Sequence, residues 1–118
     1  MTTLLIALAG GLGAASRLAV DGSVSTRTPP GFPWATALIN ITGSFLLGLI
    51  VGLAPSETWH AALGTGFLGG YTTFSTASFE TARLALDRRH GAAAVNAFAM
   101  LAISVAAASL GYALGHAF

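Results

Sequence analysis

The sequence predicts an all-α membrane protein of four transmembrane helices, the third broken near its middle. Three observations predict it. Of 118 residues, 54% are hydrophobic and only 8% charged, where a soluble domain carries about 25% charged residues. Four apolar stretches each reach the roughly 20 residues that a spanning helix needs. Inside the third stretch, paired glycines run into a cluster of hydroxyl residues. With a mean hydropathy of +0.76, such a chain has too little charge to cover itself in water. That composition excludes an ordinary soluble enzyme, a disordered chain and a nucleic-acid binder working through a basic patch. The 5 basic residues, all Arg, and the 4 acidic ones leave a formal charge of +1, and the absence of Cys excludes disulfides and thiolate chemistry.

The first span covers residues 2–20. It lacks the basic leader of a signal peptide and carries Arg17 where such a peptide would end, so it reads as a membrane helix. The polar segment from Asp21 to Gly31, closing on Pro29-Pro30-Gly31, separates it from the second span, residues 33–53. Ala54-Pro55-Ser56-Glu57 is a short turn, with Ser56 or Thr58 available to cap the third span, residues 59–86. Asp87-Arg88-Arg89-His90 leads into the fourth, residues 91–118, and the whole chain forms one four-helix domain. Small residues dominate all four spans. In lipid, where apolar surfaces gain little by meeting, such residues let helix backbones approach closely.

The third span contains Gly69-Gly70-Tyr71-Thr72-Thr73-Phe74-Ser75-Thr76. Glycines weaken a helix by about 1 kcal/mol each relative to Ala, and hydroxyls can bond freed backbone groups. The pattern suits a break between Gly69 and Phe74, and unwound carbonyls at membrane depth are a common way to hold a cation. A continuous helix with its hydroxyls bonded to the preceding turn is the alternative. Farther on, Glu80 and Arg83 are three apart and able to pair. A charge at the bilayer centre costs about 2.5–3.5 kcal/mol on insertion scales, so these two call for a watery vestibule or for snorkelling, and Arg17 near the end of its helix does likewise.

On the second span Thr36, Asn40 and Ser44 fall at i, i+4 and i+8, on one face. A buried amide without partners is costly, so Asn40 either bonds a neighbouring helix or faces an aqueous path. Asn96 and Ser104 mark a similar face on the fourth span, with Met100 between them. The first, second and fourth spans contain no carboxylate within their apolar stretches. Amide and hydroxyl donors, Arg and the positive edges of Phe rings suit a small, strongly hydrated anion better than a cation.

Three segments resemble the Fluc (CrcB) family of fluoride channels. They are Gly10-Gly11-Leu12-Gly13-Ala14-Ala15-Ser16-Arg17, the run Thr36-Ala37-Leu38-Ile39-Asn40-Ile41-Thr42-Gly43-Ser44-Phe45, and Gly66-Phe67-Leu68-Gly69-Gly70-Tyr71-Thr72-Thr73-Phe74-Ser75-Thr76 followed by Ser78 and Glu80. The third segment is the specific one, and the resemblance covers nearly the whole chain. It implies an antiparallel, dual-topology dimer with two pores in the plasma membrane, passively exporting fluoride from the cytoplasm. It implies a structural sodium ion at the dimer interface, held by backbone carbonyls that map to Gly69 and Thr72. The fluoride pathway maps to Phe74, Asn40, Thr36, Ser44, Thr76, Arg17 and Ser104. Two positions depart from the family pattern: Ala77 stands where a second pore Phe is expected, and Met100 replaces a serine of the fourth-helix polar track.

With four spans, both termini and the loop after Leu53 share a side without Lys or Arg, while Arg27, Arg88 and Arg89 lie on the other. The positive-inside rule places the Arg loops in the cytoplasm. This bias, with the missing Phe, suits one half of a heterodimer whose homologous partner has the opposite orientation; a homodimer is the simpler arrangement. Two other functions compete. A small four-span multidrug or cation exporter would need a membrane carboxylate in the first span, which is absent. A non-conducting structural subunit would explain the losses at Ala77 and Met100. Neither an enzyme nor a nucleic-acid partner is expected.

Overall fold

The computed structural model describes residues 1–53 and 55–118, and among them the chain is helical throughout, with no strand. Helix α1 is Thr2–Ser25 and α2 is Trp34–Leu53. Helix α3, residues 57–71, opens on Glu57–His60, widens into π-helical turns over Ala61–Leu68 and closes on Gly69–Tyr71. After a break at residues 72–74 comes α4, Ser75–Leu86. Helix α5, His90–His116, contains a second π-helical segment at Val95–Ala99. By length and apolarity α1, α2 and α5 can each cross a membrane.

The first helix outlasts the apolar stretch that suggested it. The sequence reading ended it at residue 20, but Asp21–Ser25 is helical, because polarity alone does not stop a helix and no breaker occurs before Pro29. The Ser25 hydroxyl lies 3.5 Å from the Asp21 carboxylate one turn back, and the Thr28 hydroxyl donates to the Val24 carbonyl at 2.9 Å, closing the C-terminal end. Ala54, the first residue of the expected turn before α3, lies outside the described residues; Ser56 does cap α3, accepting from the Trp59 N–H at 3.5 Å.

Glycine faces decide which helices pair. Helix α1 packs on α3 and α2 packs along α5. A Cβ on Gly13 would collide with the Phe67 carbonyl, and one on Gly70 with the Gly10 carbonyl. On the other seam, Gly48 lies against the Ala108 backbone and Gly111 against the Phe45 carbonyl. Backbones this close gain dispersion contacts and weak Cα–H···O bonds that bulkier helices forgo. Where the pairs meet, Ile39 (1% exposed), Leu68 and Tyr71 form the small core, walled by Val20, Ile50 and Phe67. The Thr42 hydroxyl donates to the Leu38 carbonyl at 2.8 Å, so the Tyr71 hydroxyl donates to Thr42 at 3.0 Å. Tyr71 is thereby fixed as a core residue.

The outside is apolar. Leu4, Leu8 and Leu12 are exposed along one face of α1, and Phe98, Leu101 and Val105 on α5. A longest dimension of 47 Å matches the roughly 40–45 Å of a bilayer with its headgroups. Trp34 and Trp59 sit exposed at helix starts, as in an interfacial aromatic belt. At the Arg-bearing end, the Arg89 guanidinium donates to the carbonyl of Gly31, whose φ of +111° suits glycine. That bond ties the α1–α2 loop to the α4–α5 loop. Helix α4 ends in a Schellman turn: Arg88, at φ 60°, bonds Ala85, and the Arg89 N–H bonds Leu84.

Gly13→Ala and Gly70→Ala should each destabilise the fold by about 1–3 kcal/mol through overpacking. Gly11, whose Cβ would meet nothing within 4 Å, should accept Ala with no loss. Thermal melts in detergent read all three; equal melting points for Gly13→Ala and Gly11→Ala would contradict the close approach.

Candidate functional site

The break between α3 and α4 is held by one side chain. The Thr72 N–H still bonds the Leu68 carbonyl at 2.9 Å, but Thr72 then turns extended, with ψ 160°. The next N–H, from Thr73, would bond the Gly69 carbonyl in a continuous helix. Instead it donates to Asn40 Oδ1 at 3.0 Å, while Asn40 Nδ2 donates to the Thr73 carbonyl at 2.9 Å. One amide from α2 thus takes both polar groups of a peptide that has left the helix. The Thr73 hydroxyl accepts from the Thr76 N–H at 3.2 Å and caps the start of α4. The helix therefore gives way just after Gly69 and Gly70, which remain helical, at the end of the window the sequence indicated.

Among the described residues, no backbone N–H donates to the carbonyl of Gly69 or of Thr72. These are hard oxygen donors of the kind that suit sodium or calcium. No group of three or more His, Asp or Glu side chains stands ready for a metal among the described residues.

Beside the break lies a groove of about 750 Å³, walled by α2, the end of α3, α4 and the first half of α5. Thr36, Asn40 and Ser44 enter it from α2, Gly69, Thr72 and Phe74 from the end of α3 and the break, Ser78 from α4, and Asn96 and Ser104 from α5. The hydroxyls of Thr72 and Thr81 bond carbonyls one turn back. Those of Thr36, Ser44, Ser78 and Ser104 make no hydrogen bond within the described chain and remain available to whatever enters. No charged side chain lines the groove. Met100 and Ala77, the two departures from the family pattern, both face it. Phe74, 86% exposed, stands at its rim with little packing of its own.

Two of the residues proposed from sequence lie elsewhere. Thr76 is half-buried outside the groove lining. Arg17 is also half-buried, its Nε without a partner. A second cavity of about 250 Å³ lies between the end of α1, the start of α2 and α4, lined by Asp21, Ser25, Trp34 and Glu80 among others. Glu80 Oε1 is buried there without a donor, and the pairing of Glu80 with Arg83 that their spacing allows is not made. Thr73, Ser78 and Asn96 were not among the proposed site residues. Thr73 had a legible signal, a hydroxyl three residues before the next helical N–H, the pattern of an N-cap.

Long apolar helices, close glycine seams and a discontinuous helix beside an uncharged donor groove define a multi-pass helical membrane protein. A family model described as "CrcB-like protein, Camphor Resistance (CrcB)" matches residues 4–112. The chain is 51% identical over 120 aligned positions to "Fluoride-specific ion channel FluC 1" of Leifsonia xyli subsp. xyli, covering 98% of this chain and 87% of that protein. It is 46% identical to "Fluoride-specific ion channel FluC 2" of Cutibacterium acnes, covering 98% of each, and 44% identical to the FluC 2 of Mycobacterium bovis, covering 90% and 84%. The chain belongs to the CrcB (Fluc) family.

Asn40→Ala should strand the Thr73 N–H and carbonyl and cost about 1–3 kcal/mol for each buried group left unpaired. The fall in melting temperature in detergent measures it; an unchanged value would show that the break holds without the amide.

Proposed function

We propose that this chain is a subunit of a passive fluoride-selective channel in the plasma membrane, with the broken third stretch, α3 and α4 together, as its fourth crossing. The uncharged groove carries the reading. A small anion leaving water needs its hydration replaced by donors, and Thr36, Ser44, Ser78 and Ser104 offer hydroxyls that bond nothing else among the described residues. Asn40 has a second amide hydrogen beyond the one bonded to Thr73. Phe74 adds the positive edge of its ring. Without a titratable group in the lining, the groove has nothing with which to couple transport to protons, which disfavours an exporter. The names of the relatives agree with this reading. Arg17 and Thr76 lie outside the groove lining, and the Thr76 N–H supports the start of α4 through the Thr73 hydroxyl.

The carbonyls of Gly69 and Thr72 would hold a structural sodium ion where two antiparallel chains meet. Two such pairs would supply an oxygen cage, and the ion would compensate backbone groups that the helix has released. A Cβ on Gly69 would find only the Gly64 carbonyl, at 3.9 Å, within its own chain. Crowding at this position is therefore an interface effect. Ala77 lines the groove where the resemblance expects Phe, and Arg27, Arg88 and Arg89 all lie at one end. Both features favour a homologous partner of opposite orientation over a second identical copy.

Fluoride efflux from proteoliposomes without a proton gradient tests the function. The chain, alone or with its homologous partner, should empty vesicles of fluoride, and Phe74→Ala should slow efflux about two- to tenfold, an effect of the size of one aromatic contact, while leaving the dimer intact. No fluoride flux in either form, or wild-type flux in Phe74→Ala, would remove the channel reading or Phe74 respectively. Gly69→Leu should abolish the dimer while the protomer keeps its helix content by circular dichroism; an intact dimer would refute the interfacial ion.

A further inference from the structure

Asn96 is 6% exposed and sits in the π-helical segment of α5, facing α4. Its Nδ2 donates to Thr81 Oγ1 at 2.7 Å and to the Ala77 carbonyl at 3.3 Å. The Thr81 hydroxyl itself donates to the Ala77 carbonyl at 2.9 Å. That direction fixes the amide orientation, because a flipped Asn96 would set its oxygen against the Ala77 carbonyl.

Ala77 and Thr81 are one turn apart on a single face of α4. A fork that grips both sets the rotation of α4 and its position along its axis. Among the described residues, the only hydrogen bonds reaching residues 73–86 from other helices are this fork and the Asn40 clamp on Thr73. Phe74 lies between the two grips and is 86% exposed, so packing does not hold its ring. Its place at the groove rim follows from the backbone on either side.

We infer that Asn96, acting through Thr81 and the Ala77 carbonyl, is a positioning residue that sets the roll of α4 and thereby the placement of Phe74. The π-helical turn serves this role: its extra residue per turn brings Asn96 round to α4 while the rest of α5 keeps its glycine seam on α2. The inference rests on the proposed fluoride channel for its effect on flux, but not for its geometry.

The test uses the full chain, which has no Cys and so accepts spin labels at two introduced sites, Leu86→Cys on α4 and Val105→Cys on α5. Both are exposed and outside the groove lining. Doubly labelled chain is diluted into unlabelled chain so that distances within one protomer are read. Asn96→Leu and Thr81→Val should each shift or broaden the label distance and cut fluoride efflux about tenfold, the scale of a lost hydrogen bond that leaves its partner buried. Thr81→Ser, which keeps the hydroxyl, should match wild type in both. Unchanged distances in the two variants would overturn the inference, even with reduced efflux, since Asn96 would then act on the ion directly. Shifted distances with wild-type efflux would overturn it as well. If Asn96→Leu fails to fold, Thr81→Val against Thr81→Ser carries the test. Wild-type vesicles that pass no fluoride would end the channel reading, while the distances would still decide whether Asn96 orients α4.

Discussion

One amide holds open a helix that would otherwise have to close or stop. A peptide that leaves a helix inside an apolar layer has no water to satisfy it, so irregular backbone survives there only where protein supplies the missing partners. Asn40 supplies both, accepting from the Thr73 N–H and donating to its carbonyl. What lies downstream follows from that bond. The Gly69 carbonyl loses its helical donor, Thr73 becomes the cap of α4, and Phe74 is carried to the groove rim. Remove the clamp and the chain is pushed back towards a continuous helix, in which the carbonyls are occupied and Phe74 points elsewhere.

The clamp can reach Thr73 because the helices stand close together. Glycine seams draw α1 against α3 and α2 against α5, near enough for an added methyl group to strike backbone. Such packing leaves the large side chains on the outside, where α1 and α5 display Leu, Phe and Val. Polar groups follow the opposite rule and gather inward around the groove. The arrangement inverts that of a soluble protein, as a lipid solvent demands.

Much of this was legible in the sequence. The periodic Thr36, Asn40 and Ser44 predicted a polar face on α2, and the three do converge on one groove with Ser104. The run from Gly69 to Phe74 announced the break, though glycines tolerate a helix as well as an exit, so its exact place depended on the first N–H with a better partner. The end of α1 was misjudged because an apolar stretch measures contact with lipid, whereas a helix ends where its hydrogen bonding ends. That Asn40 bonds a neighbouring segment was one of the two readings its burial allowed, but that it takes both polar groups of one peptide was not readable. A lone amide in a span looks the same whether it serves a ligand or a peptide 33 residues away. Asn96 and Ser104 were read as one face and do line the groove together, but the bonds from Asn96 to α4 stayed hidden, because sequence spacing assumes regular helix and a π-helical turn changes which way a side chain points.

The uncharged lining of the groove has a physiological side. None of its side chains takes up or releases a proton across the range in which cells live. Acid or alkaline surroundings therefore leave its electrostatics as they were. An acidified cell meets the same wall of hydroxyls and amides as a neutral one.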